Sequence, residues 1–123
     1  MKHSILIVDD NDVNLELLGR ILEMEGYRIM KAHNGMAAIQ SVMNEMPDLA
    51  ILDVMMPDID GYELCRRLRN PPLEIKIPIV MLTAMNSDTE KAHALEAGAN
   101  EIWSKPYQMD AFTDRLRELL KSS

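Results

Sequence analysis

The chain is short of most things that would commit it to an extracellular, membrane or nucleic-acid setting. It has one cysteine, Cys65, so no internal disulfide can form, and a cytoplasmic, reducing setting is expected. No apolar run approaches the roughly 20 residues of a membrane helix. The first residues lead straight into an expected strand, without the apolar segment of a signal peptide. Positive charge is scarce: 13 Lys and Arg stand against 20 Asp and Glu, a formal charge of -7. Nucleic-acid binding relies on Lys and Arg to neutralise phosphates, so direct contact with DNA or RNA is not expected. Aromatic residues make up only 4%, and the eleven methionines are expected to fill core volume in their place. Repeats, low-complexity tracts and linkers are absent too, and residues 1–123 are long enough for one domain with its own core.

What is present is alternation. Strand-like runs at 4–8, 27–31, 49–52, 78–82 and 101–104 are separated by helix-like segments at 12–25, 35–45 and 61–69, between Ser87 and Gly98, and at 108–121. Leu17 and Ile21, and Leu18 and Leu22, repeat at helical spacing in the first helix. Ile39, Val42, Met43 and Met46 are expected to face inward from the second, and Cys65 to be half-buried in the third. Pro71-Pro72 stop the third helix. Ser87 and Glu90 match a capping box for the fourth, and Gly98 suits its left-handed end. Five βα units with short, wholly apolar strands suit a parallel sheet covered on both faces. The expected fold is therefore α/β: a three-layer α/β/α sandwich on a five-stranded parallel sheet, of flavodoxin-like order 2-1-3-4-5 if the usual switch point applies.

The strand-like runs close on polar residues: Asp9 and Asp10, Asp53, Thr83 and Lys105. Open parallel α/β sheets bind ligands outside the carboxyl ends of their strands. In the order above, strands one and three are neighbours, which sets three carboxylates side by side with Thr83 and Lys105 on the other flank. Carboxylates so close raise one another's pKa unless a proton or a cation neutralises them. All-oxygen ligands select Mg²⁺ or Mn²⁺. Singly, each aspartate reads as a cap or loop residue; together at strand ends they read as a metal site with phosphoryl-binding groups beside it.

At these residues the chain resembles the receiver domains of two-component response regulators. The matching stretches are Val8-Asp9-Asp10, the loop from Asp53 through Met55-Met56-Pro57 to Gly61, Thr83-Ala84 and Lys105-Pro106, in that order along essentially the whole chain. The resemblance implies that Asp53 accepts a phosphoryl group from a histidine kinase or phosphotransfer protein. It implies that Asp10, Asp53 and the Met55 carbonyl bind Mg²⁺ directly, with Asp9 acting through a water. Thr83 would donate its hydroxyl to one phosphoryl oxygen and Lys105 would ion-pair with another. The peptide bond before Pro106 would be cis, aiming the ammonium into the pocket. Phosphoryl transfer asks for alignment and spread-out positive charge more than for covalent help, which fits this set of groups.

The chain departs from the family pattern in places. Receivers usually carry an aromatic residue three positions before the lysine; here that is Ile102, and the neighbouring Trp103 is expected on the opposite face as a core residue. Signal relay then falls to Ile102 itself, to the loop around Met85-Asn86, or to a switch with little movement at all. The two positions that tune phosphate lifetime in the family are Met55 and Met85, both apolar. The face of fourth helix, fifth strand and fifth helix, the usual output and homodimer surface, carries Lys91 and Arg115 of the family's ion-pair set, while Asn100 and Ala111 depart from it. The downstream partner would be a separate protein or an attached output domain, and Asn11-Asp12-Val13-Asn14-Leu15 is similar to receivers joined to hybrid kinases or to cyclic-nucleotide signalling enzymes. Two other readings compete: a degenerate receiver serving as a binding adaptor, and a Mg²⁺-dependent phosphatase with an aspartyl nucleophile. The phosphatase would want an aspartate where Met55 stands.

Overall fold

The computed structural model describes residues 2–85 and 87–122. Its elements run β1 (Ser4–Val8), α1 (Asp12–Met24), β2 (Arg28–Ala32), α2 (Gly35–Asn44), β3 (Leu49–Asp53), α3 (Gly61–Arg69), β4 (Ile79–Thr83), α4 (Asp88–Ala97), β5 (Glu101–Ser104) and α5 (Met109–Ser122). All neighbouring strands pair in parallel, in the order β2-β1-β3-β4-β5. This is the expected flavodoxin-like three-layer sandwich. Alternation along the strands builds two cores. Leu6, Val8, Ala50, Leu52 and Met81 face α2, α3 and α4. Ile5, Ile7, Leu49, Ile51, Val80 and Leu82 face Leu15, Leu18 and Leu22 of α1 and Phe112, Leu116 and Leu120 of α5. Burying each such Leu or Ile contributes about 1.5–3 kcal/mol, and β1, β3 and β4 carry polar residues only at their ends: Ser4 at the start of β1, Asp53 and Thr83 at the close of β3 and β4. Among the described residues no helix is long and apolar enough to cross a membrane.

The helix starts follow from short polar side chains. Asn11, Asn34, Asp60 and Ser87 accept from the backbone N–H three residues on, at 3.0, 2.8, 2.8 and 3.2 Å. The Glu90 carboxylate takes the Tyr62 hydroxyl of α3, so only the Ser87 half of the capping box forms. Gly98 ends α4 at a φ of 104°, in the left-handed region as expected.

Several expectations need correction. β2 begins one residue later than expected, because Tyr27 N–H closes α1 on the Leu22 carbonyl and Ala32 O is drawn to Asp9 N–H at 3.2 Å. The methionines are mostly not core: Met24, Met36, Met43, Met46, Met55 and Met85 are exposed, and Met81 is fully buried. In α2, Ala38 and Val42 hold the inward seam, and Met43 sits a further 100° or so around the helix. Met46 lies past the helix end and is also exposed. Leu17 is exposed for the same rotational reason, one position from buried Leu18. Cys65 is fully buried rather than half-buried, and burial pushes its thiol up to about 11.

Candidate functional site

The ladders carry three polar residues to one sheet edge. Val54 N–H bonds the Leu82 carbonyl at 3.0 Å and Lys105 N–H the Thr83 carbonyl at 2.7 Å, so Asp53 and Thr83 are the last residues inside their strands. Asp9, Asp53 and Thr83 are buried there, and Asp10 is exposed. Asp9, Asp10 and Asp53 each offer a carboxylate oxygen, all within 4.8 Å of one another. Lys105 Nζ stands 3.4 Å from Asp53 Oδ1 and 3.8 Å from Asp9 Oδ2. The peptide bond between Lys105 and Pro106 is cis, as is that between Pro71 and Pro72. Asp9 is oriented by Asn11 N–H, which donates to its Oδ1 at 2.9 Å. Gly61 lets α3 begin against the site: a Cβ there would lie 2.5 Å from the Asp53 carbonyl oxygen.

Burial raises the Asp53 carboxyl above its ordinary range; Lys105 pulls it down, and the Asp9 and Asp10 charges push it up again. One ammonium against three carboxylates leaves the cluster short of positive charge. An all-oxygen set with that deficit fits a hard divalent cation such as Mg²⁺, which takes one or two carboxylates and keeps several waters. Asp9, Asp10 and Asp53 are the groups that could hold it.

The other singled-out residues sit around this cluster. Thr83 is at the next strand end, but its hydroxyl donates to the Met85 carbonyl at 3.0 Å and accepts from Met85 N–H at 3.1 Å. Met55 and Met85 flank the edge with 72% and 69% of their surface exposed. Asn86, named with Met85 for signal relay, lies outside the described residues. Ile102 packs on the α3–α4 core and borders a shallow groove with Lys91, Ala94 and Leu95, whereas Trp103 packs on the α1–α5 core. Residues missed in the sequence include Asp58, whose carboxylate reaches α2 from the loop between β3 and α3. No local pattern marks it, because its partners are 22 and 23 residues away.

A family model of the response regulator receiver domain matches residues 5–117. Response regulator MprA of Mycobacterium ulcerans (strain Agy99) is 40% identical over 121 residues, 98% of this chain and 51% of that protein. The signal receiver domain of a signal transduction histidine kinase from Syntrophus aciditrophicus matches with a TM-score of 0.89 at 36% identity, over 98% of this chain and 91% of that one. The BeF3-activated N-terminal receiver domain of Klebsiella pneumoniae RstA matches with a TM-score of 0.88 at 32% identity, over 95% and 97%. The chain spans about half the length of the curated relatives it matches.

Proposed function

The chain belongs to the response regulator receiver family, and from that premise we propose that Asp53 is the residue that takes the phosphoryl group. A phosphoacceptor receiver is not an enzyme with a separate substrate; its own modification is the product. The observation that carries the assignment is the buried Asp53 oxygen within 4.8 Å of the Asp9 and Asp10 oxygens with the Lys105 ammonium 3.4 Å away. An Asp53 oxygen attacks phosphorus in line, the bond from phosphorus to the donor's imidazole nitrogen breaks, and the imidazole leaves with the electron pair. Asp9, Asp10, Asp53 and the Met55 carbonyl would hold Mg²⁺ or Mn²⁺, which when bound neutralises charge on the phosphoryl oxygens. Lys105 exchanges its carboxylate partner for a phosphoryl oxygen. Thr83 gives up the Met85 backbone for another, and that exchange loosens the loop into α4. The surface of α4, β5 and α5 then presents a changed face.

The donor is a histidine kinase or phosphotransfer protein of the cytoplasm, and the recipient of the signal is an attached output domain or a separate protein. Residues 1–123 are read as one receiver domain. The Klebsiella relative described as BeF3-activated supports a site that accepts a phosphoryl mimic. Incubation with Mg²⁺ and acetyl phosphate, followed by intact mass, tests the assignment. One phosphoryl group should be gained by the wild type and none by Asp53→Asn or in EDTA. An unmodified wild type would remove the assignment and leave an adaptor.

A further inference from the structure

Seven residues, 54–60, separate β3 from α3. The two ends of this loop are held locally: Gly61 N–H donates to the Val54 carbonyl at 2.8 Å, and Asp60 caps α3. Its middle is held from elsewhere. Asp58 Oδ1 accepts from Gly35 N–H at 3.1 Å and Oδ2 from Met36 N–H at 3.0 Å. The cap residue of α2, Asn34, takes Ala37 N–H, so Asp58 satisfies two further donors that the helix leaves free. Its charge also lies at the positive end of the helix dipole. Slight burial raises the Asp58 carboxyl, but the backbone N–H groups of Met36, Ile59 and Gly35 prevail and hold it below the usual range. An apolar contact closes beside the polar one. A Cβ on Gly35 would lie 2.2 Å from Ile59 Cγ1 and 2.6 Å from Cδ1, so Ile59 fits there because residue 35 has no side chain.

We propose that Asp58, backed by the Gly35–Ile59 contact, is a positioning residue of the phosphoryl-transfer site: it clamps the loop to α2 and so fixes the Met55 carbonyl three residues earlier. The inference rests on the reading of that carbonyl as a cation ligand. A loop free at its middle has to be ordered each time the cation binds, and that ordering weakens binding. The clamp therefore acts on cation affinity and not on the chemical step. The test is the Mg²⁺ dependence of Asp53 modification by acetyl phosphate, read by intact mass. Asp58→Ala should raise the half-saturating Mg²⁺ about fivefold, the scale of a lost cap. Gly35→Ala, which attacks the same clamp from α2 by displacing Ile59, should shift it in the same direction. The rate at saturating Mg²⁺ should stay within about twofold of wild type. Asp58→Asn keeps one acceptor oxygen and should fall between wild type and Asp58→Ala. Variants that melt at lower temperature yet keep the wild-type Mg²⁺ midpoint would overturn the clamp while leaving the phosphoacceptor assignment standing. A wild type modified at Asp53 without any need for Mg²⁺ would overturn the clamp together with the reading of the Met55 carbonyl as a cation ligand, whereas a wild type not modified at all would overturn the phosphoacceptor assignment.

Discussion

Asp53 is held against its own charge. Burial and two neighbouring carboxylates raise its folded pKa above the unfolded value, and Lys105 offsets only part of that. A raised acid costs nothing below the unfolded pKa, where both states are protonated, and costs its full amount above the folded pKa. Asp53→Asn should therefore melt higher than wild type at neutral pH without added cation. The gain should shrink as pH falls toward the ordinary carboxylate value of 3.8, and a constant difference across that range would refute it. The same residue scale decides how long a phosphoryl group survives. Met55 and Met85 are exposed at the edge of the site, and a thioether is too weak an acceptor to align an attacking water. Met55→Asn or Met85→Glu should speed loss of the phosphoryl group by about tenfold. Decay of the phosphorylated protein, followed by mass, checks this; faster loss from wild type than from the variants contradicts it.

The last residue of α3 ties three elements together. Arg69 Nε donates to the Gly98 carbonyl at 2.8 Å, and one terminal nitrogen reaches the Ile75 and Ile77 carbonyls at 3.1 and 2.6 Å. The other terminal nitrogen meets Asn100 Oδ1 at 3.0 Å, an oxygen that also accepts from Ile79 N–H at 2.8 Å. Arg69→Ala should destabilise by about 2–3 kcal/mol, since it strands several partly buried acceptors, and Arg69→Lys should recover only part because an ammonium lacks the fork. Denaturant unfolding measures both. Gly98→Ala should cost about 1–2 kcal/mol: its φ of 104° disfavours a side chain, and a Cβ would lie 2.7 Å from Arg69 Cγ. What could be read from the sequence at this scale was local. Ser87, Gly98 and the Pro71-Pro72 stop act within a turn of themselves, and each marks its helix end correctly. Arg69 and Asp58 bond across 29 and 23 residues, and nothing nearby in the chain announces such partners. The methionines misled for a related reason: composition says how much apolar volume exists, while the helical angle decides which of it turns inward.

Across the whole molecule the strand order is visible in charge. β1, β3 and β4 are buried throughout, while β2 carries Arg28 and Lys31 and β5 carries Glu101, and those two strands are the sheet's edges. Which edge lies next to β1 was supplied by precedent, since apolar runs of similar composition do not encode a partner. Once the order is set, the acidic residues meet at one edge of a chain with formal charge -7. Millimolar Mg²⁺ should raise the melting temperature; at a concentration about 100-fold above its dissociation constant the gain is about 2.7 kcal/mol. Asp53→Asn should lose most of that response, and an equal shift in both proteins would place the ion elsewhere. The sheet also divides the molecule optically. Its lone indole, Trp103, packs at 5.2 Å from Phe112 and gives its N–H to Glu101, which pairs in turn with Arg115 of α5. Ile102 is turned to the opposite layer. Native fluorescence is thus a one-sided reporter: its emission follows α5 and the strand leading into Lys105, and a probe for the α4 layer has to be introduced at a site such as Leu95.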